Sequence, residues 1–258
     1  MMSLTEVKKY YPESLHSEGA FLLREYLQYV ILELLFQSDY QDRFAFLEGT
    51  CLRIVHNNQR FSEDLDFDNF NLSETDFEAV SVLLKNGLLE LGYEVEIRNV
   101  MRGAYHCYIR FPKLLYEQGL SPHKEAKIAI NLDTEPQNFA FEPETLFLNK
   151  FDIFTPIKTT PLDLLLSQKF TAITYRKRAK GRDFFDVVFL LGMIKPNYDF
   201  LKCKLNVSNP EELKVHVLEV CDKLNFKELA KDVQPFLFQS NDVKKVLYFK
   251  EYFKNVDL

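Results

Sequence analysis

The densest group of residues able to do chemistry is Arg60-Phe-Ser-Glu-Asp-Leu-Asp-Phe-Asp68. Written as an extended strand, Ser62, Asp64, Asp66 and Asp68 share one face, and Leu65 and Phe67 point the other way. The apolar pair can anchor the strand in a core, while the acids crowd together opposite. Such crowding is unfavourable unless a cation neutralises it or water screens it. One or two carboxylates plus phosphate oxygens suit a hard, oxygen-binding ion such as Mg²⁺ or Mn²⁺. A bare Asp-x-Asp is common, and by itself it describes an acidic strand facing solvent.

The segment upstream makes the pair more informative. Phe44–Leu47 reads as a short strand, Glu48-Gly49-Thr50 as a turn, and Cys51–His56 as the start of a helix. Small residues in the turn let backbone N–H groups approach a phosphate at the helix start. A phosphate-binding turn followed by a two-carboxylate strand is the skeleton of a nucleotidyl-transfer site. A second cluster lies further along. Lys169, Ala172 and Arg176 fall on one face of an apolar helix, and Arg176-Lys-Arg-Ala-Lys-Gly-Arg182 holds five basic residues in seven. Gly181 allows a turn before a helix that begins at Asp183, with Asp183 and Asp186 on one face. The plainer reading is a solvated basic loop with Arg182 and Asp186 as a structural ion pair. The functional reading has Lys169 and the arginines holding triphosphate or RNA backbone.

These groups need elements to position them. Ser17–Phe36 has helical spacing, with Phe21, Leu22, Tyr26, Tyr29, Val30 and Leu34 as its apolar set. Ser73–Leu91 reads as a helix capped by Ser73 or Thr75. Glu94–Arg98 and Tyr105–Phe111 alternate around Gly103 and predict a hairpin. Ala126–Asp133 alternates again, with Ile128, Ile130 and Leu132 on one face. After Pro156 and Pro161 the pattern turns helical, through Leu162–Arg176, Asp183–Met193 and most of the remainder. The expectation is an α+β chain: a mixed-sheet core over residues 1–158 and a helical domain over 159–258.

Composition narrows the function classes. The chain has 258 residues, 47% of them apolar, and a net charge of −6. It is therefore no basic nucleic-acid coat, and any nucleic acid must meet a local basic patch. Cys51, Cys107, Cys203 and Cys221 form no CxxC pair, which argues against zinc or disulfide frameworks and for a reducing compartment. Residues 1–19 lack an apolar signal core. Tyr26–Phe36 and Phe184–Ile194 are too short to span a bilayer, so no membrane association and a cytoplasmic location are expected.

Together these segments resemble the AbiEii/AbiGii toxin family of nucleotidyltransferases, which includes the MenT toxins. The resemblance rests on Leu47-Glu-Gly-Thr-Cys-Leu-Arg53, on Arg60-Phe-Ser-Glu-Asp-Leu-Asp-Phe67, and on Lys169 followed by Arg182-Asp-Phe-Phe-Asp186. It implies a polymerase-β-like nucleotidyltransferase core followed by a C-terminal helical domain. It implies metal-dependent transfer of NMP from an NTP to an acceptor hydroxyl, on tRNA or other RNA, by a toxin with a separate antitoxin protein. Asp64 and Asp66 would carry the metal, Mg²⁺ or Mn²⁺. Gly49, Thr50 and Ser62 would contact phosphates, with Arg53 and Arg182 as further candidates. Lys169 and Asp183 match positions implicated in activity, and Arg176, Lys177 and Arg178 are candidates for RNA contact. The chain departs from the family pattern twice. Glu48 stands where the turn has its first Gly. Ala129 stands where many members have a third carboxylate, and Asp133 lies on the same face but about 13 Å further along the strand. These departures keep two alternatives open: a nucleotide- or RNA-binding protein of this fold that has lost transfer, or a toxin that modifies protein by NMPylation.

Overall fold

The alternation along Ala126–Asp133 forms a strand, β5 (Ile128–Thr134), in which Ile128, Ile130 and Leu132 are buried and Ala129 is exposed. In the computed structural model, which describes residues 1–258, β5 lies inside a seven-stranded mixed sheet. The other strands are β1 (Phe44–Leu47), β2 (Leu65–Asn69), β3 (Glu96–Arg102), β4 (Ala104–Phe111), β6 (Glu144–Lys150) and β7 (Ile153–Thr159). Their order is β3-β4-β5-β2-β1-β7-β6. The β1/β7 and β2/β5 pairs are parallel, and the remaining neighbours are antiparallel.

The chain divides into two units. Unit 1 comprises Met1–His56, Phe61–Asn138 and Pro143–Thr159, and holds the whole sheet. Its helices are α1 (Leu4–Lys8), α2 (Gly19–Phe36), α3 (Glu48–Ile54), α4 (Glu74–Glu90) and α5 (Leu114–Glu117). Ser73 caps α4 in a capping box with Asp76, so the predicted start is realised. Helix α2 packs on β5 and β7, and α4 packs on α2, β3 and β4. Burial on α2 exceeds the predicted stripe, because Glu25 and Gln28 are also buried on polar partners.

The β6–β7 hairpin was not anticipated, because Pro156 reads as a breaker. In β7, Ile153, Thr155, Ile157 and Thr159 are buried while Phe154 and Pro156 face solvent. The registered pairing of β7 with β1 is confined to Phe46 opposite Thr159, so Pro156 lies outside that ladder, where a missing N–H is tolerated.

Unit 2 comprises Asn57–Arg60, Phe139–Glu142 and Thr160–Leu258. Its helices are α6 (Leu162–Tyr175), α7 (Gly181–Leu191), α8 (Tyr198–Leu205), α9 (Pro210–Cys221), α10 (Phe226–Val233), α11 (Lys244–Leu247) and α12 (Phe249–Asn255). Phe184 and Phe249 meet edge to face at 4.9 Å, and Phe249 stacks on Phe253 at 5.5 Å, giving this unit an aromatic core. Gly181 is the first residue of α7 rather than part of a turn before it. A Cβ there would stand 1.9 Å from the Leu229 carbonyl oxygen, so only glycine lets α7 approach α10 this closely. No helix is long and apolar enough to cross a membrane.

Candidate active site

In unit 1 the chain leaves β1 at Leu47 and enters α3 at once, so the expected turn is already helical. Glu48 makes the change of direction with φ of 65°, in the left-handed region that glycine occupies at no steric cost. A glycine at this step would carry no such cost. Thr50 is fully buried, and its hydroxyl donates to the Asp64 backbone carbonyl. The side chain thus fixes the carboxylate segment to α3 instead of facing a phosphate. Helix α2 holds the same segment: Gln28 Nε2 donates to the Ser62 and Glu63 carbonyls at 3.1 and 2.9 Å, and Arg24 pairs with Glu63.

Arg53, a candidate phosphate contact, is buried. Its Nε and Nη2 donate to the two Glu25 carboxylate oxygens at 2.8 and 3.2 Å. Lys150 Nζ also donates to Glu25, at 2.9 Å, and lies 3.8 Å from the Tyr11 ring centroid. Burial acts to raise the Glu25 carboxyl, but Arg53 and Lys150 outweigh it and hold the group below the usual carboxylate range. This network braces α3 against α2 from inside unit 1.

Strand β2 begins at Leu65, so Ser62 and Asp64 lie in chain that leads into it. Asp64 and Asp66 are half-buried, whereas Asp68 is buried and accepts the Gln137 backbone N–H at 2.9 Å. The decisive geometry is the register with β5: Asp66 stands opposite Asp133. Register partners on neighbouring parallel strands are about 4.8 Å apart and point to the same face. Asp133 is therefore beside Asp66 with no shift of the strand, and the position expected for a third carboxylate, Ala129, instead pairs with Arg110. The four residues between Ala129 and Asp133 do not separate Asp133 from Asp66, because the register between strands, which sequence does not reveal, sets that distance.

His106 on β4 is opposite Asp133, and its Nδ1 lies 2.8 Å from Asp133 Oδ1. Asp133 is turned onto His106, and no group of three His, Cys, Asp or Glu side chains is placed to hold an ion. Asp64 and Asp66 are the pair that could hold one. An all-oxygen pair of half-buried carboxylates fits Mg²⁺ or Mn²⁺ when substrate phosphates complete the shell.

The second cluster is internal to unit 2. Lys169 is 2% exposed, and its Nζ lies 3.2 Å from Asp186 and 3.6 Å from Asp183. Asp186 pairs with Arg60, not with Arg182: Arg60 Nε and Nη2 donate to its two oxygens at 2.7 and 2.6 Å, and Asn58 Nδ2 donates at 2.8 Å. Asp183 accepts from Arg176 at 2.9 Å. Burial acts to raise the Asp186 carboxyl, but Arg60 and Lys169 beside it keep it below the ordinary value. Three cations and two carboxylates thus tie the start of the Arg60-to-Phe67 segment to α6 and α7. Lys177 and Arg178 are exposed and Arg182 is half-buried. Lys180 is crowded by Arg182 and, after burial, by Arg176, which together lower its ammonium pKa. Sequence reasoning missed Gln28, His106 and the role of Arg60. For Glu25, a charged residue in a mostly apolar helix, the pattern did carry a signal.

Residues 30–239 match the family described as nucleotidyl transferase AbiEii toxin, Type IV TA system. A comparison with curated proteins finds no match. Among solved structures, JHP933 from Helicobacter pylori superposes with a TM-score of 0.58 at 15% identity, covering 92% of this chain and 91% of that one. MenT4, a nucleotidyltransferase toxin from Mycobacterium tuberculosis, superposes with a TM-score of 0.58 at 16% identity, covering 100% and 91%. These two likenesses bear on the fold, and the sequence match bears on the family. On the extent of that match, the chain belongs to the AbiEii nucleotidyltransferase toxin family.

Proposed function

We propose that this chain transfers NMP from an NTP to a hydroxyl at the end of an RNA, tRNA being the leading acceptor, and does so as the toxin of a toxin–antitoxin pair. The observation that carries this reading is the row of carboxylates: Asp64 fixed by Thr50, and Asp66 in register with Asp133. Asp64 and Asp66 would hold Mg²⁺ or Mn²⁺, which supplies neutralisation of phosphate charge and orientation of the triphosphate. The backbone at Gly49 and the Ser62 hydroxyl lie on the segments that border this pair. The acceptor oxygen bonds to the α-phosphorus as the bond to the pyrophosphate oxygen breaks, and the hydroxyl proton passes to a carboxylate oxygen of Asp133. His106 Nδ1, donating to the other Asp133 oxygen, orients that carboxylate. Lys169, Asp183 and Arg60 act as positioning residues, since their charges are satisfied inside unit 2. Arg53 has the same kind of role through Glu25.

The test is incubation of purified protein with each labelled NTP, Mg²⁺ and total tRNA. Label on RNA, lost in Asp64→Asn/Asp66→Asn, is expected. Label on protein instead would establish the NMPylating alternative. A second reading, nucleotide binding without transfer, is favoured by the acid at Glu48. It requires Mg²⁺-dependent NTP binding with no label on any acceptor.

A further inference from the structure

The sheet order separates two sides of the carboxylate strand. Toward β1 lies the Glu48 turn, where a triphosphate would sit. Toward β5, β4 and β3 lies a broad sheet face whose character is different. On the opposite face of these strands, Cys107, Ile109, Phe111, Ile130 and Leu132 are buried on the helix side. The outward face carries Arg98, Arg102 and Arg110, all exposed, on β3 and β4. One of its acids, Glu96, is already held by Lys127 at 2.8 Å, with Arg110 also drawing its carboxyl pKa down. Arg98, Arg102, Arg110 and Lys127 against Glu96 and Asp133 leave this strip positive in a chain of net charge −6.

Two rings lie between the arginines and the carboxylates. His106 and Tyr108 are half-buried, with centroids 6.4 Å apart and planes 29° apart. Tyr108 stands opposite Arg98 on one side and Asn131 on the other, and His106 stands opposite Asp133. Ala129, opposite Arg110, leaves the floor low at that point. From β3 to β2 the face spans three strand spacings, about 14 Å.

We propose that this face binds the single-stranded 3′ end of the RNA acceptor, a proposal that rests on the transferase reading above. Arg98, Arg102 and Arg110 take backbone phosphates. Tyr108 and His106 stack bases, as aromatic side chains do on single-strand platforms. The strand runs across β4 and β5 and delivers its terminal hydroxyl to Asp133 and Asp66. Acceptor and donor thus approach β2 from opposite neighbours in the sheet. An acidic protein would match the arginines but has no use for rings placed beside a catalytic row. The exposed Lys177 and Arg178 of unit 2 are not required for this contact.

The experiment is fluorescence anisotropy of a short 5′-labelled single-stranded RNA with a free 3′-hydroxyl, with Mg²⁺ and at several salt concentrations. Arg98→Glu/Arg110→Glu is expected to weaken binding at least a hundredfold and to flatten the salt dependence by about 1.4 in log–log slope, the share of two phosphate contacts. Tyr108→Ala is expected to weaken it about tenfold, and Tyr108→Phe to bind like the wild type. Thermal melting checks that each variant is folded. Wild-type protein that binds no RNA overturns the proposal, as does equal binding by the arginine variant. So does an equal loss in Lys177→Glu/Arg178→Glu, which would place RNA on unit 2. A melting shift of the wild type by ATP and Mg²⁺ separately tests the transferase reading. If that shift is present while the arginine variant binds RNA normally, the face is wrong and the reading survives. If it is absent while RNA binding follows the pattern above, the face survives and the reading fails.

Discussion

Lys169→Met distinguishes a buried strut from a group that meets substrate. The side chain is 2% exposed and serves two aspartates, Asp186 at 3.2 Å and Asp183 at 3.6 Å. Breaking a buried ion pair costs about 3–5 kcal/mol when it strands a charge. Here neither aspartate is stranded, because Asp186 keeps the fork of Arg60 and Asp183 keeps Arg176. The network falls from three cations and two anions to two of each. Methionine also refills most of the stem volume. The expected cost is therefore smaller, about 2 kcal/mol, or about 4–8 °C in melting temperature for a chain of this size. Asp186→Asn makes the opposite change and leaves three cations facing one anion, so about 4 kcal/mol and 8–16 °C are expected. Thermal melts of both variants, with transfer assayed well below either midpoint, decide the matter. A Lys169→Met melt equal to wild type, or lower than that of Asp186→Asn, refutes the charge arithmetic. An undisturbed melt with transfer reduced about 10²–10³-fold would instead put the ammonium on the triphosphate.

Other outcomes follow from the same geometry. Thr50→Val removes the hydroxyl that donates to the part-buried Asp64 carbonyl and should cost about 0.5–1.5 kcal/mol in denaturant unfolding, with a loss of transfer as the carboxylate loosens. Glu48→Gln should tighten NTP binding by removing an acid from the turn. Glu48→Gly should tighten it similarly and also relieve the backbone at φ of 65°, so its melt should exceed that of Glu48→Gln. Equal melts of the two would remove the backbone argument. The Asp186 and Glu25 carboxyls are held below their ordinary values of 3.8 and 4.5. The stability they contribute is complete above those values and is lost as pH falls through the lower folded ones. Melts of Asp186→Asn and wild type should therefore converge in acid and separate above about pH 5.

Much of the frame was legible because it is written in local patterns. The Ser73 cap, the alternation along β5 and the strand Phe44–Leu47 each depend on residues a few places apart. The failures share one cause, which is long-range pairing. Asp133 was set aside because distance along a strand is readable, whereas the β2–β5 register that puts Asp66 beside it is not. The aspartates that enclose Lys169 are not legible either, because they come from α7, and the deeper partner of Asp186, Arg60, lies 126 residues away. Pro156 hid β7, since proline is tolerated in a strand paired there with β6 and not with β1. A single cut near residue 158 has no way to express that residues 57–60 and 139–142 group with the helices.

That grouping has a consequence in time. Arg60 leaves the ribosome 126 residues before Asp186. At about 5–20 residues per second, roughly 6–25 s separate the two. During that interval the guanidinium has no carboxylate to bury against, so Asn57–Arg60 must stay hydrated. Asp64 and Asp66 are already synthesised, as are Thr50, Gln28 and Arg24 that hold the chain beside them, so it is the Arg60 end of the segment that waits. A growing polypeptide therefore carries this buried charge network in unfinished form until α7 has been made.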